Sequence, residues 1–116
     1  MSIQSILNKL TKGEVAVLAD AIESTGTQPI FTNVEINWPA TFQLTTTGRG
    51  ASDDTVVLIE VSNDNFTTAI PYATLATVGN TYDIIVSGQD PWAYVRANCT
   101  VMDNAGTGSA TLLMGY

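Results

Sequence analysis

The sequence predicts an all-β protein: an antiparallel β-sandwich or jelly-roll of about seven strands, with an N-terminal arm that is helical or extended. Segments rich in Val, Ile, Thr and aromatic residues recur from Pro29 to the C-terminus. Turn-forming stretches such as GRGASDD, SNDN and DNAGTG separate them. In residues 92–102 small apolar side chains alternate with polar ones, as in a strand with one buried face.

The strands follow one another at short intervals along the chain. The predicted strands are residues 30–38, 40–47, 55–62, 72–78, 81–87, 92–102 and 109–116. Short strands at this spacing are typical of an antiparallel sandwich rather than a parallel sheet. The sequence VGNTY further predicts a tight hairpin around Gly79 and Asn80.

The first 28 residues differ in character from the rest. Residues 2–11 predict a short helix that Gly13 ends, because their apolar side chains recur at helical spacing. These apolar residues, the N-terminal stripe, are Ile3, Ile6, Leu7 and Leu10. Residues 14–22 fit either a short helix or an extended segment, and residues 23–29 resemble a linker. The predicted domains are therefore an arm, residues 1–28, and a sandwich, residues 29–116.

The composition points to assembly with other chains. Only 13% of the residues are charged, whereas about 25% is usual for globular proteins. Interface cores are depleted in charge, and a small monomer normally needs charge to stay in solution. We therefore expect part of the surface to be covered by neighbours, with a homo-oligomer as one form of that assembly.

The charge balance argues against two classes of partner. The net charge is −7, and the only cations are Lys9, Lys12, Arg49 and Arg96. Four scattered cations cannot line a groove for phosphates, so we expect no nucleic-acid partner and no anionic membrane surface. No apolar run is long enough for a signal peptide core or a membrane span, so we expect a soluble product that stays where it is made.

The side chains needed for common catalytic sites are scarce. The sequence has no histidine and one cysteine, Cys99, so we expect no enzyme activity, cofactor or metal site. Glu60 and Asp83 are candidates for a carboxylate pair, but a small sandwich offers little room for a substrate cleft. The clusters Asp53-Asp54, Asn63-Asp64-Asn65 and Asp103-Asn104 favour turns over a calcium site. Cys99 is expected to be buried and inert.

Residues 92–102 carry the most distinctive candidate surface. Trp92, Tyr94 and Arg96 share the face opposite the predicted core face, where they could contact a protein or stack on a sugar. The alternative is a cross-strand strut, in which Arg96 pairs with Glu60 or Asp83 and lies over Tyr94. Arg49, between Gly48 and Gly50, is expected at the tip of a mobile loop, where it could contact an acidic neighbour.

Two resemblances rest on the span from VVLIEVSND to PWAYVRANCTV. A strand ending in Ser-x-Asp and an aromatic-x-Tyr-Val-Arg strand resemble the second half of discoidin-like, galactose-binding β-sandwiches. The same strands resemble small structural proteins of tailed-bacteriophage virions, including capsid decoration or cement proteins. No residue matches the ligand loops of the carbohydrate-binding relatives, so no sugar site is carried over from them.

The virion resemblance implies a non-enzymatic protein that clamps a capsid lattice across subunit joints. Its partner would be the major capsid protein or another virion protein, and it would be found in the virion after assembly in the host cytoplasm. A carbohydrate-binding module, or another tail or connector component, remains the alternative. The expected contact residues are Ile3, Ile6, Leu7, Leu10, Trp38, Arg49, Trp92, Tyr94 and Arg96. For the N-terminal stripe, packing on its own sandwich is an equally open alternative.

Overall fold

The computed structural model describes residues 15–32, 41–86 and 92–115, and these residues form β-strands joined by turns and loops, without a helix. The strands are β1 (Val15–Ile22), β2 (Gly26–Thr27), β3 (Phe31–Thr32), β4 (Thr41–Thr47), β5 (Asp54–Ser62), β6 (Ile70–Val78), β7 (Tyr82–Val86), β8 (Tyr94–Met102) and β9 (Ser109–Gly115). Within these ranges there is accordingly no helix of a length and hydropathy that could span a membrane.

The strands form two antiparallel sheets, which confirms the predicted fold class. The four-stranded sheet has the order β1-β9-β4-β7. The second sheet has the order β2-β8-β5-β6, and β3 also pairs with β8. Six predicted strands coincide with β4 to β9 to within a few residues. The predicted strand 30–38 overlaps β3 only; Ile30 lies just before β3, and residues 33–38 lie outside the described residues.

The core lies between the inner faces of the two sheets. Along β4 and β9, alternate residues are buried because side chains point to opposite faces of a strand. β4 contributes Phe42 and Leu44, and β9 contributes Leu112 and Met114, all fully buried. From the other sheet, Val57, Ile59 and Val61 of β5 pack with Val95, Ala97 and Cys99 of β8. Each large apolar side chain buried here contributes about 1.5–3 kcal/mol to folding.

The boundary predicted between an arm and a sandwich at residue 28 is corrected by the structure. Residues 15–22 form β1, which pairs with β9 in the four-stranded sheet. Gly26 and Thr27, placed in the predicted linker, pair with Cys99 and Asn98 of β8. The sandwich therefore includes residues from Val15 onwards, and only residues 1–14 of the predicted arm lie outside the described residues.

The irregularity of β1 explains why its sequence was ambiguous. Its register with β9 shifts between Val17 and Ala19 and again between Ala19 and Ile22. These shifts bury the consecutive residues Leu18 and Ala19, so the two-residue alternation of a regular strand is lost. Ala21 adopts φ 51°, a left-handed conformation that is uncommon for alanine.

The hairpin predicted at Gly79 and Asn80 is wrong, because β6 and β7 belong to different sheets. The turn instead carries the chain from one sheet to the other and is held by the loop between β4 and β5. The Asn80 side chain accepts a hydrogen bond from the backbone N–H of Arg49 at 2.8 Å and donates one to its carbonyl at 3.1 Å. Gly79 donates its N–H to the Asp53 carbonyl. These contacts fix the turn against the β4–β5 loop.

Candidate functional site

The outer face of the four-stranded sheet presents a group of exposed apolar side chains. Val15 and Val17 of β1 are 61% and 56% exposed, and Tyr82 and Ile84 of β7 are 65% and 62% exposed. Between them lie residues of β9 and β4. We call this surface the open face; it consists of Val15, Val17, Tyr82, Ile84 and Leu113, with Thr41, Gln43, Thr45, Thr111 and Gly115 between them.

The strand registers place these residues in rows across the sheet. One row runs through Val17, Leu113, Gln43 and Ile84, one residue from each strand. Its members face outward because their chain neighbours, such as Phe42 and Leu112, are buried in the core. The open face is therefore a continuous band across all four strands.

A small dent interrupts the open face beside β1. Gly115 has no side chain, and the space next to it, lined also by Val15, Thr41, Gln43 and Leu113, has a volume of about 120 Å³. Sites for drug-sized ligands are usually about 300 Å³ or larger. The dent therefore has room for a single side chain rather than a small-molecule ligand.

The open face carries little charge. Among the described residues, the carboxylate next to it is that of Asp20 of β1, which accepts a hydrogen bond from the Thr111 hydroxyl at 3.1 Å. Other acidic side chains of the described part, such as Asp53, Asp103 and Asp64, lie in the loops. A protein with net charge −7 thus keeps one whole sheet face almost free of carboxylates.

The predicted surface at Trp92, Tyr94 and Arg96 lies on the five-stranded sheet. Its arginine forms a cross-strand pair with Glu60, the alternative that the sequence left open. Arg96 Nε donates to Glu60 Oε1 at 2.8 Å, and the two side chains are 18% and 10% exposed. The guanidinium lies 4.1 Å from the centre of the Phe66 ring, not over Tyr94 as the sequence predicted. Trp92 is half-buried and packs against the core. Arg96 is therefore already engaged inside its own chain.

The loop between β5 and β6, residues 63–69, covers part of this outer face. The buried Ser62 hydroxyl accepts hydrogen bonds from the N–H groups of Asp64 and Phe66 and donates to the Asp64 carboxylate at 2.6 Å. Asn65 and Phe66 both have positive φ, 54° and 61°. These two residues turn the loop back, which places the Phe66 ring beneath Arg96.

An open pocket of about 330 Å³ lies beside this loop, lined by Asn63, Asp64, Thr68, Ile70 and Trp92. The hydrogen bond from Ser62, followed by that from the Thr68 N–H, lowers the pKa of the Asp64 carboxyl from its ordinary value. The pocket therefore combines one indole ring, an ionised carboxylate and hydrogen-bonding groups at the edge of a sheet.

The structure corrects the role expected for Arg49, which is 4% exposed rather than at a loop tip. Its side chain donates to the Thr55 hydroxyl at 3.2 Å. It also donates to the carbonyls of Asp54, Asp103, Asn104 and Thr107. It thereby joins the β4–β5 loop, the start of β5 and the β8–β9 turn.

Two of the Asp/Asn clusters meet around Arg49. Asp53 accepts from the Asn104 amide at 2.6 Å and from the Gly50 N–H at 2.9 Å. These bonds, with the Arg49 charge, lower the pKa of Asp53. The guanidinium supplies the positive charge that a metal ion would bring. In the described ranges no group of potential ligands is arranged for a metal.

The other residues considered for catalysis are either far apart in the fold or buried. Glu60 lies in the five-stranded sheet with Arg96, whereas Asp83 of β7 accepts from the Ala76 N–H at 2.9 Å. Cys99 is buried as predicted, and burial raises the pKa of its thiol. The predicted contact residues Ile3, Ile6, Leu7, Leu10 and Trp38 lie outside the described residues.

No protein-family model matches the chain, and no curated protein matches its sequence. Solved structures share its fold. The PBSX exported protein XepA aligns with a TM-score of 0.56 and 13% identity over 89% of this chain, which spans only 36% of XepA. PirA aligns with a TM-score of 0.51 and 8% identity, covering 90% of this chain and 85% of its own length.

A carbohydrate-binding module has the same fold. The CBM32 of AlyQ, solved with 4,5-unsaturated mannuronic acid, aligns with a TM-score of 0.51 and 11% identity over 90% of this chain and 95% of the module. At these identities the likeness concerns the fold. The chain is therefore a β-sandwich of an architecture found both in a carbohydrate-binding module and in an exported PBSX protein.

Proposed function

We propose that this protein is a non-enzymatic structural component of a phage virion, a capsid decoration or cement protein that binds neighbouring subunits through the open face. Its partner would be the major capsid protein or another virion protein, and it would act as a homo-oligomer without nucleic acid or membrane. It would reside in the virion after assembly in the host cytoplasm.

The observation that carries this proposal is the exposed, almost uncharged open face. Exposed apolar side chains that share one face of a small domain, here on both sides of the polar β4 residues Thr41, Gln43 and Thr45, mark a protein interaction site. Interface cores are depleted in charge, and carboxylates that face like charges across an interface weaken binding. Val17 and Ile84 lie in the same row of this face and are both more than half exposed.

The size of the open face fits a weak contact repeated over a lattice. Four strands about 4.8 Å apart and about 23 Å long cover roughly 440 Å². A stable interface between two separate proteins buries about 800 Å² on each side. Many such contacts on one particle would act together, and each bound copy would stabilise the assembled state by about 2.7 kcal/mol at a hundredfold excess over Kd.

The experiment is co-sedimentation with purified particles of the phage that encodes the chain. Wild-type protein should sediment with the particles, and Ile84→Lys should bind at least about tenfold more weakly, because a charge is placed in an apolar interface. Thr74→Lys, an exposed change on the opposite sheet, serves as the matched control and should bind normally. Equal binding by Ile84→Lys would exclude the open face, and no sedimentation of the wild type would exclude the virion role.

A carbohydrate-binding function is the second candidate, favoured by the pocket at Trp92. An indole ring can stack on the apolar face of a sugar, while Asn63, Asp64 and Thr68 offer groups for its hydroxyls. Because the Asp64 carboxyl has a lowered pKa and stays ionised, it would repel a uronic acid. The pocket therefore suits neutral or amino sugars.

This candidate is tested by fluorescence. The chain has two tryptophans, so Trp38→Phe leaves Trp92 as the reporter. Neutral and amino oligosaccharides should shift its emission, and Asp64→Asn should weaken the response to amino sugars more than to neutral ones. A glycan screen without a hit, or a hit that leaves the Trp92 emission unchanged, would rule out the pocket.

A further inference from the structure

We infer that the outer edge of β6 is a strand-pairing surface for a second copy of this chain, and that the Asp83 carboxylate keeps this edge closed. Asp83 accepts hydrogen bonds from a backbone N–H group of β6 and from one of β7, the edge strands on this side of the two sheets. An open strand edge is a template on which another chain can add a strand. The inference concerns the free protein and does not depend on a role in a virion.

The edge strands of the described ranges differ in how much backbone they offer to another chain. β2 and β3 have two residues each, β7 has five, and the register of β1 shifts twice. Short or bulged edge strands are poor templates for pairing. β6 is longer, with nine residues. Pro71, which has no N–H, and a register shift between Ile59 and Glu60 of the paired β5 interrupt only its first part.

The second part of β6 has a composition that favours pairing between copies. Residues 72–78, YATLATV, contain no charged residue, no proline and no glycine, and four of the seven are Tyr, Thr or Val. Segments of six or seven residues with high β-propensity and little charge readily pair with identical segments. Thr74, Ala76 and Val78 of this segment are exposed. The segment itself therefore carries no charge that would repel a second copy.

Asp83 points inward, at a strand position where an apolar side chain is the usual choice. It pairs with Leu44 of β4, and paired residues of adjacent strands lie on the same face of a sheet. Leu44 is fully buried, and Ile85, the next residue of β7 on this face, packs against the core. An inward-pointing charge on an edge strand is one of the devices by which proteins prevent pairing between edges.

The carboxylate uses both of its oxygens on backbone groups. Oδ2 accepts from the Ala76 N–H of β6 at 2.9 Å, and Oδ1 accepts from the Ile84 N–H of β7 at 3.0 Å. A strand added to β6 needs the Ala76 N–H for its own carbonyl, so it must first displace the carboxylate.

Charge opposes the same pairing. Two copies that pair antiparallel about Ala76 would bring their Asp83 carboxylates towards each other, and like charges placed together weaken an interface. Copies of the chain that assemble would therefore meet through another surface, such as the open face.

The test compares Asp83→Val with wild type in the full-length protein. Valine suits an inward strand position, so the fold should persist, but valine accepts no hydrogen bond and carries no charge. In sedimentation velocity, Asp83→Val should self-associate at a protein concentration at least about tenfold lower than wild type. Glu23→Val, an exposed change between β1 and β2 that alters the net charge equally, is the matched control and should behave as wild type.

A second change locates the contact. Thr74→Lys, added to Asp83→Val, places a charge on the same edge strand and should return self-association to the wild-type level, because lysines on edge strands oppose pairing.

Hydrogen exchange gives an independent measurement. Asp83→Asn replaces one carboxylate oxygen by an NH2 group, so the N–H of Ala76 or of Ile84 loses its acceptor. That amide should exchange at least about tenfold faster than in wild type in dilute protein.

The outcomes separate clearly. Association of Asp83→Val that Thr74→Lys reverses supports the inference. It is overturned if Asp83→Val associates no more than wild type, if Glu23→Val associates equally, or if Thr74→Lys leaves the association unchanged. If the valine variant does not fold, Asp83→Asn decides in both assays: faster exchange with association at lower concentration supports the inference, and no change in either assay overturns it.

Discussion

Replacing Arg49 by methionine should remove a large part of the stability of the sandwich. Methionine fills a similar volume but donates no hydrogen bond. The change removes the bonds to the Thr55 hydroxyl and to the four carbonyls of the β5 start and the β8–β9 turn. It also leaves the Asp53 carboxylate without its nearby positive charge.

The magnitude follows from the burial of this network. A hydrogen bond to a charged group contributes about 1.5–3 kcal/mol, but water can replace part of these bonds because several are only partly buried. Breaking a buried charged network typically costs about 3–5 kcal/mol, and we expect about 4 kcal/mol here. A domain of this size is stable by about 5–15 kcal/mol, so the melting temperature should fall by about 16 °C.

The assay is unfolding by guanidinium chloride and by heat, followed by circular dichroism. Arg96→Met is the matched control, because it removes another paired arginine whose bonds are a single contact to Glu60 and a ring contact to Phe66. That variant should cost about 1–2 kcal/mol. If Arg49→Met costs no more than Arg96→Met, the account of Arg49 as the clamp between these loops is refuted.

Three further variants or conditions test the backbone and the acidic loops. Ala21→Gly should raise stability by about 1 kcal/mol in guanidinium unfolding, because φ 51° is strained for alanine and open to glycine; a lower midpoint would contradict this. Gly108→Ala should cost more than about 3 kcal/mol, because its Cβ would lie 2.3 Å from the Thr47 carbonyl oxygen at φ +71°; a neutral effect on the midpoint would exclude this close approach. Hydrogen bonds to the ionised form lower the pKa values of Asp53 and Asp64 in the folded protein. The stabilisation of the folded state by these two carboxylates is therefore complete above the unfolded pKa, near 4. It is lost as the pH falls through the lower pKa values of the folded state. The melting temperature should therefore be flat from about pH 7 to 5 and decline below about 4, less steeply in Asp64→Asn; an equal decline would exclude Asp64 as a contributor.

The elements that could be predicted are those with regular alternation. In β4 and β9, and in the first six residues of β5 and β8, the buried residues recur every second position, and the sequence shows this pattern directly. The inward positions Val95, Ala97 and Cys99 of β8 were therefore identified correctly, whereas Val101, which the alternation placed on the same face, is 40% exposed. β1 was ambiguous because its register shifts destroy the alternation, and β2 was missed because two residues paired to a distant strand leave no periodic signal.

The candidate site depended on pairings that are distant in sequence. Val17, Leu113, Gln43 and Ile84 form one row only because β1, β9, β4 and β7 adjoin in that order. None of the four is unusual in its own segment. The sequence predicted a surface at Trp92, Tyr94 and Arg96 because these residues are close to one another along the chain. In the structure, however, Arg96 contacts Glu60 and Phe66, which are distant from it in sequence.

The amino-acid sequence by itself determined the all-β class, most strand positions and the shortage of charge, because these depend on local alternation, turn residues and composition. The tertiary structure alone decided that Arg49 is buried, that the turn at Gly79 crosses between the sheets and that one sheet face is left open and almost free of charge. The physical reason is that burial and surface patches depend on which strands become neighbours. Strand order is set by the packing of the whole core and not by any single segment.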